Sequence, residues 1–181
     1  VQQLLMPVAA SRGLHLHSEI DPMLQQWSLA DGLRLRQVLF NLAGNALKFT
    51  LQGSVVLQAH VLQQRDGGQR LRLQVTDTGV GISMERQQAV FAAYEQAETS
   101  TTRRFGGSGL GLSICRELAA SMGGQLHLRS APGKGTTVWL ELVLAACAAP
   151  TVVPVLTTAV QRPLPPARAL VVEDHPTNLQ L

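Results

Sequence analysis

Three polar side chains recur at helical spacing within an otherwise apolar segment of the sequence. In residues 41–50, NLAGNALKFT, Asn45 follows Asn41 by four residues and Lys48 follows Asn45 by three, which places all three on one helix face at ~100° per residue. Asparagine costs roughly half a kcal/mol against alanine in a helix, so two of them one turn apart require a reason. Amide oxygens suit Mg²⁺, and the ammonium of Lys48 suits phosphate. The pattern predicts either a site for a metal-bound phosphate or an ordinary polar helix face, and alone it supports both equally.

Two later segments carry residue types suited to a nucleotide. Asp77 ends a predicted strand in the segment DTGVGI, and Gly79 and Gly81 follow it. A carboxylate there can accept a hydrogen bond from an exocyclic amine, and glycines allow the backbone to approach a flat base. Residues 106–114, GGSGLGLSI, are a glycine-rich turn that leads into a helix, where backbone N–H groups and the helix dipole favour an anion. Each segment alone is weak evidence, but the three in this order indicate a nucleotide site.

The intervening residues predict the elements that position these segments. Asp31 is the predicted N-cap of a helix of about five turns that carries the polar face. Alternating polarity predicts strands at residues 14–20, 54–62, 70–77, 125–130 and 135–144, the second and third forming an antiparallel hairpin. Further helices are predicted in residues 1–13, after a cap at Ser83, and in residues 110–124 before a Gly-Gly C-cap. Short turns between strand pairs favour an α/β sandwich, with a mixed, mostly antiparallel sheet covered by helices on one face.

Composition sets the class of the protein. The 181 residues suffice for one full domain with a modest remainder, and 45% of them are hydrophobic. The net charge of +3 is mild and dispersed, which fits a small phosphate-bearing ligand and gives no case for nucleic acid. Cys115 and Cys147 lack metal spacing, and together with the absence of a signal segment they indicate a cytoplasmic protein. No apolar run approaches the roughly 20 residues of a membrane span, so we expect no membrane contact. A first residue other than methionine suggests an excerpt from a longer chain.

Four segments together resemble the N, G1, F and G2 boxes of sensor histidine kinases. They read RLRQVLFNLAGNALKFT, DTGVGI, VFAAYEQAETSTTRRFGGSGLGLSI and GKGTTVWLELVL. The tail, ALVVEDHPTN, resembles the start of a receiver domain, and the combination resembles a hybrid sensor histidine kinase. The family has a Bergerat (GHKL) fold that binds ATP between the N-box helix and a flexible lid. The implied organisation is a helical remnant at 1–13, a catalytic domain at 14–144, an Ala/Pro-rich linker at 145–167 and a truncated receiver start at 168–181.

The resemblance assigns nucleotide and metal roles to individual residues. Asn45 would coordinate Mg²⁺, with Asn41 beside it or bound through water, and Lys48 would contact phosphate. Asp77 would accept a hydrogen bond from the adenine amine and so distinguish ATP from GTP. Further contacts near the base would come from Gly79, Gly81, Ile82 and Thr136.

The resemblance also describes a lid over the nucleotide. Phe91 and Tyr94 would pack beneath this lid, although an ordinary place in the core is at least as well supported for both. Arg103 or Arg104 would add positive charge near the phosphates, and a purely solvated role is an equal alternative. The lid itself and its hinge would be formed by Gly107, Ser108, Gly109, Leu110 and Gly111.

Position 41 distinguishes between activities within the wider fold. Related ATPases of the gyrase and Hsp90 kinds carry a glutamate about one turn before the metal asparagine, as a general base for water. Asn41 is an amide and cannot take a proton, so we expect slow intrinsic hydrolysis and transfer of the γ-phosphoryl group to a nucleophile from outside. The alternatives are a GHKL-type ATPase and a nucleotide-binding module without transfer activity.

The phosphoacceptor segment of the family has no match in this sequence. Four of the histidines lie in predicted strands, where a surface or core role is expected: His15, His17, His60 and His127. We therefore expect a monomer that binds ATP without autophosphorylating, and whose partners are a dimerisation domain carrying the phosphoacceptor histidine and a receiver domain. In the tail, Glu173 and Asp174 resemble the acid pair of a receiver, but one strand cannot form a sheet, so no receiver activity is expected. The implied location is the cytoplasmic portion of a bacterial inner-membrane sensor.

Overall fold

The computed structural model describes residues 1–25, 27–91 and 111–149, in which pairs of successive strands are separated by helices. The helices are α1 (Gln2–Ser11), α2 (Gly32–Phe49), α3 (Met84–Ala89) and α4 (Gly111–Ser121). The strands are β1 (His15–Ile20), β2 (Ser28–Leu29), β3 (Ser54–Arg65), β4 (Gly68–Asp77), β5 (Gln125–Ser130) and β6 (Thr136–Ala146).

The strands form one mixed sheet in the order β1-β3-β4-β6, with β6 also paired to β5 and β2. Only the pairing of β1 with β3 is parallel among the described strands. The predicted hairpin is confirmed as β3–β4, but both strands are longer than expected, because backbone pairing continues through polar residues to Arg65 and Gly68. The two-residue strand β2 was not predicted. The expected α/β sandwich with a mostly antiparallel sheet is confirmed.

Helix α2 begins and ends as its sequence predicts. The Asp31 side chain accepts a hydrogen bond from the backbone N–H of Arg34 at 3.0 Å, which satisfies one of the free donors at the helix N-terminus. At the other end, the Thr50 hydroxyl donates to the carbonyl oxygen of Ala46 at 2.7 Å. The buried residues of α2 form one ridge: Val38, Leu42, Ala43, Ala46 and Leu47. Its polar ridge is therefore held beside the core by apolar packing.

In the described part of the chain, a hydrophobic core lies between the helices and one face of the sheet. Its sheet side includes Val75 and Leu140, and its helix side includes Leu47 and Cys115. Helix α1 contributes to the same core through Leu5 and Ala9, and the guanidinium of Arg12 donates to the carbonyl oxygen of Leu47 at 3.0 Å. Strand β6 continues to Ala146 and pairs there with Ser28. The core thus includes residues before position 14, and the sheet extends past position 144.

The opposite face of the sheet carries polar networks. Gln58 donates to Glu19 and accepts from Gln74, each at 2.7 Å, so one network crosses three strands. On the same face, Glu141 accepts hydrogen bonds from Arg72, Arg70 and Trp139. Burial alone would raise the pKa of Glu141, but these hydrogen bonds together lower it below its ordinary value. The described helices that contribute to the core, α1, α2 and α4, pack against the apolar face.

No helix within the described ranges combines the length and the hydropathy that a membrane span requires.

Candidate active site

Asp77 is a buried carboxylate at the end of β4, with 8% of its surface exposed. Its Oδ1 accepts hydrogen bonds from the backbone N–H groups of Gly79 at 2.8 Å and Thr136 at 3.2 Å. Burial raises the pKa of Asp77, and these two hydrogen bonds partly oppose the rise. Both hydrogen bonds to this carboxylate within the described chain use Oδ1, so Oδ2 retains its capacity to accept from a ligand donor.

The turn after β4 is packed against protein backbone on two sides. A side chain at Gly79 would meet the carbonyl oxygen of Phe49 at 2.5 Å, and the N–H of Val80 donates to that same oxygen at 3.3 Å. Gly81 has φ +70°, and a side chain there would collide with the carbonyl oxygen of Ala131. Glycine at both positions therefore allows neighbouring backbone to approach this turn closely, and the predicted role of Gly79 and Gly81 beside a base stays a prediction.

Ser130 connects this turn to the β5–β6 turn. Its hydroxyl accepts from the N–H of Ile82 at 2.8 Å and donates to the carbonyl oxygen of Gly135 at 2.8 Å. The Oγ atoms of Ser130 and Thr136 lie 2.9 Å apart, and Gln87 donates to the carbonyl oxygens of Ile82 and Ser130. Sequence reasoning missed Ser130 and Gln87. The sequence did contain a sign of Ser130. Leu126 and Leu128 point to the same face of the strand, so an apolar residue is expected at position 130, and a serine is found there.

The polar ridge of α2 lies beside the first turns of α4. Asn41, Asn45 and Lys48 are all partly exposed. The Nδ2 atom of Asn45 lies 3.6 Å from the position of a Cβ on Gly111. Burial raises the pKa of the Cys115 thiol to about 11, and a hydrogen bond with the Asn41 side chain opposes the rise. The sequence did not identify Cys115 as a neighbour of Asn41.

The two clusters meet at the C-terminal end of α2. The carbonyl oxygen of Phe49 contacts the turn at Gly79 and Val80. Lys48 directly precedes Phe49, and its Nζ lies 5.1 Å from the Phe49 ring centroid. The C-terminal end of α2 thus packs against the turn that follows the buried carboxylate of Asp77, and the ammonium and the two amides lie on the same helix. Such a set can recognise a base and a phosphate chain together.

The donors on the polar ridge fit a divalent cation held largely by its ligand. No group of three or more His, Cys, Asp or Glu side chains suited to a metal occurs in the described residues. A Mg²⁺ ion at this ridge could be held by the amide oxygens of Asn41 or Asn45 together with phosphate oxygens and water, a ligand set typical of this cation.

The lid residues are described only in part. Phe91 is partly buried, and the guanidinium of Arg116 lies 5.9 Å from its ring centroid. Gly111 is the first residue of α4. The other predicted lid residues lie outside the described ranges: Tyr94, Arg103, Arg104, Gly107, Ser108, Gly109 and Leu110.

Comparison with known proteins assigns the family. Residues 30–146 match the model of the histidine kinase-, DNA gyrase B- and HSP90-like ATPases. The chain is 40% identical over 145 residues to the sensor histidine kinase AruS of Pseudomonas aeruginosa. This alignment covers 80% of this chain and 14% of AruS. It is 36% identical over 181 residues to the autoinducer 2 sensor kinase/phosphatase LuxQ of Vibrio cholerae, covering 98% of this chain and 21% of LuxQ.

A solved structure shows the same fold at similar identity. The crystal structure of full-length ShkA in complex with AMPPNP superposes with a TM-score of 0.69 at 39% identity, over 82% of this chain and 29% of ShkA. The chain therefore spans under a third of ShkA and about a fifth or less of the curated relatives named above. It belongs to the family of histidine kinase-, DNA gyrase B- and HSP90-like ATPases, as a catalytic domain of the sensor histidine kinase type.

Proposed function

We propose that this chain binds Mg-ATP and transfers the γ-phosphoryl group to a histidine on a separate dimerisation domain, in two-component signal transduction. The observation that carries this proposal is the buried Asp77 carboxylate, held through Oδ1 next to the end of the amide-bearing helix. The adenine amine would donate to Oδ2. The AMPPNP complex of ShkA supports an adenine nucleotide in this fold.

The remaining residues would act along the length of the nucleotide. Lys48 would neutralise phosphate charge, and the amide oxygens of Asn41 and Asn45 would hold Mg²⁺, which would supply charge neutralisation to the phosphates. Phe91 and Gly111 flank the lid segment that would cover the phosphates, together with the predicted residues between them. The base would be enclosed by the turn that contains Gly79, Gly81 and Ile82. Thr136, at the start of β6, would contact it as well.

Transfer to an external nucleophile is favoured over hydrolysis by the chemistry of position 41. An amide cannot accept a proton from water, so Asn41 cannot serve as a general base. Positioning of the γ-phosphoryl group and electrostatic stabilisation then remain as the sources of catalysis. The partner would supply both the histidine and its orientation.

The tail would link this domain to a receiver domain. The alignment with LuxQ covers 98% of the chain and so extends into residues 145–181. In this proposal residues 145–167 are a linker, and residues 168–181, which contain Glu173 and Asp174, are the start of a receiver domain. We propose a cytoplasmic domain that is monomeric by itself and is brought to its partners within a longer sensor protein.

Calorimetric titration of this chain with ATP, with and without Mg²⁺, tests binding. We expect Mg²⁺-dependent binding in the wild type and loss of adenine recognition in Asp77→Asn. Adding a separately produced phosphoacceptor domain and labelled ATP should then give phosphohistidine. Binding without any transferred label would favour a nucleotide-binding module, and steady-state turnover near one per second that Asn41→Ala abolishes would favour a GHKL-type ATPase.

A further inference from the structure

A row of three polar side chains crosses one end of the sheet, on the face that carries the core. Asp77 on β4 pairs with Thr136 on β6, and Thr136 pairs in turn with Ser130 on β5, so the three side chains lie on the same face. The residues two positions further into the same strands are all apolar: Val75, Val138 and Leu128. Polar groups therefore replace apolar ones at the edge of the core, beside the carboxylate that would recognise a base.

The hydroxyl of Ser130 uses its full hydrogen-bonding capacity. It donates to the carbonyl oxygen of Gly135 at 2.8 Å and accepts from the backbone N–H of Ile82 at 2.8 Å. A serine hydroxyl has one proton and two lone pairs, so one lone pair remains after these two bonds. The Oγ1 of Thr136 lies 2.9 Å from the same oxygen. Because the Ser130 proton is already used at Gly135, the Thr136 hydroxyl is the donor in this contact.

This assignment determines what the Thr136 hydroxyl can offer to a ligand. Thr136 lies between its two paired residues in the row, so its single proton is directed toward Ser130 and away from Asp77. Only lone pairs of Oγ1 remain, and Thr136 is partly exposed, so a ligand can reach them. Oδ2 of Asp77 is also an acceptor. The two neighbouring groups therefore both present acceptors to a ligand.

We propose that Ser130 is a positioning residue that holds the Thr136 hydroxyl as an acceptor, so that Asp77 and Thr136 together select the exocyclic amine of adenine over the oxo group of hypoxanthine. This inference rests on the proposed function and deepens it from nucleotide binding to discrimination between bases. An amine presents donors to the two acceptors. An oxo group presents another acceptor, and Thr136 cannot donate to it while its proton is held by Ser130.

The test compares the affinities of the chain for ATP and for inosine triphosphate (ITP), in which an oxo group replaces the amine. For each variant, calorimetric titration in Mg²⁺, with displacement of ATP by ITP, gives the ratio of the two affinities. In Ser130→Ala the Thr136 hydroxyl loses its acceptor and can rotate to donate to the oxo group. The ratio of ATP to ITP affinity should therefore fall about three- to ten-fold, the value of one hydrogen bond. Ser130→Thr keeps the hydroxyl and should restore the wild-type ratio.

Two controls separate the orientation of the hydroxyl from the packing of the turn. Gln87→Leu removes the hydrogen bonds to the carbonyl oxygens of Ile82 and Ser130 but leaves the hydroxyls in place. It should weaken ATP and ITP binding equally and leave the ratio unchanged. Thr137→Ala, at the next position of β6 and on the opposite face of the sheet, should change neither affinity.

A double-mutant cycle identifies Thr136 as the residue through which Ser130 acts. In a Thr136→Val background, Ser130→Ala should have no further effect on the ratio, because the hydroxyl that it releases is gone. Ser130→Cys retains a weaker acceptor and should give a smaller fall in the ratio, which provides the same test if Ser130→Ala is too unstable to titrate.

The outcomes distinguish this role from the proposed function. An unchanged ratio in the Ser130 variants, or a fall of equal size in Gln87→Leu, would overturn the positioning role. Equal affinity of the wild type for ATP and ITP would overturn the selection between bases and leave nucleotide binding in place. Absence of ATP binding by the wild type would instead overturn the proposed function itself.

Discussion

The backbone N–H of Thr136 donates a 3.2 Å hydrogen bond to Oδ1 of Asp77, across the sheet position where β6 begins and β4 ends. Together with the N–H of Gly79, it occupies one oxygen of a buried carboxylate and leaves the other to a ligand. The orientation of the residue that would recognise a base is therefore built into the pairing of two strands.

Replacing Asp77 with asparagine should separate recognition from stability. The amide can retain an oxygen for the N–H groups of Gly79 and Thr136, but its nitrogen would then face the adenine amine, donor against donor. We expect ATP affinity to fall about 10- to 100-fold, the value of a hydrogen bond to a charged group. Calorimetry gives the affinity, and chemical denaturation should show that the free energy of unfolding is not reduced, since a buried charge is removed.

The pH dependence of folding should reveal the same buried carboxyl group. Because burial raises the pKa of Asp77, the folded protein binds a proton more tightly than the unfolded chain. The free energy of unfolding contributed by this group therefore falls as pH rises, from the ordinary aspartate pKa through the raised one. In urea denaturation between pH 4 and about pH 7, the free energy of unfolding of the wild type should fall more steeply with rising pH than that of Asp77→Asn. Equal slopes in the two proteins would contradict it.

Two glycines with nearly the same backbone angle offer a matched comparison. Gly81 has φ +70° and Gly133 has φ +69°, but only a side chain at Gly81 would collide with backbone, at Ala131. Gly133→Ala should cost about 1 kcal/mol of unfolding free energy from the left-handed conformation alone. Gly81→Ala should cost about 3 kcal/mol, because the turn after β4 must also move. Thermal denaturation of both variants measures the difference, and equal losses would show that crowding at Gly81 is unimportant.

Gln69 should be a larger contributor to stability than its residue type suggests. It is 0% exposed in β4, accepts from the N–H of Gln25 at 3.2 Å and donates to the hydroxyl of Ser28 at 3.0 Å. Gln69→Ala would leave a cavity and two polar groups without their partner, so we expect a loss of about 2–4 kcal/mol. Gln125→Ala, at an exposed strand position, should change the free energy of unfolding by less than about 0.5 kcal/mol in the same denaturation experiment.

Local pattern was sufficient to predict the elements that carry the site. Asp31 as the N-cap of α2 and the ridge of Asn41, Asn45 and Lys48 follow from spacing along one helix, and the β3–β4 hairpin follows from alternation around a turn. Strand β2 and the lengths of β3 and β4 could not be predicted, because pairing with a neighbouring strand decides them and polar residues can pair as well as apolar ones.

The sequence by itself determined which residue types were available and which of them share a helix face or end a strand, because these properties depend on the repeat of a single element. The tertiary structure decided which oxygen of Asp77 is left for a ligand, that Ser130 joins Ile82 to the β5–β6 turn, and that the Cys115 thiol donates to the carbonyl oxygen of Val38. Each of these depends on a contact between distant segments, such as the 48 residues from Ile82 to Ser130 or the 77 from Val38 to Cys115. Only the packing of the shared core brings such residues within hydrogen-bonding distance.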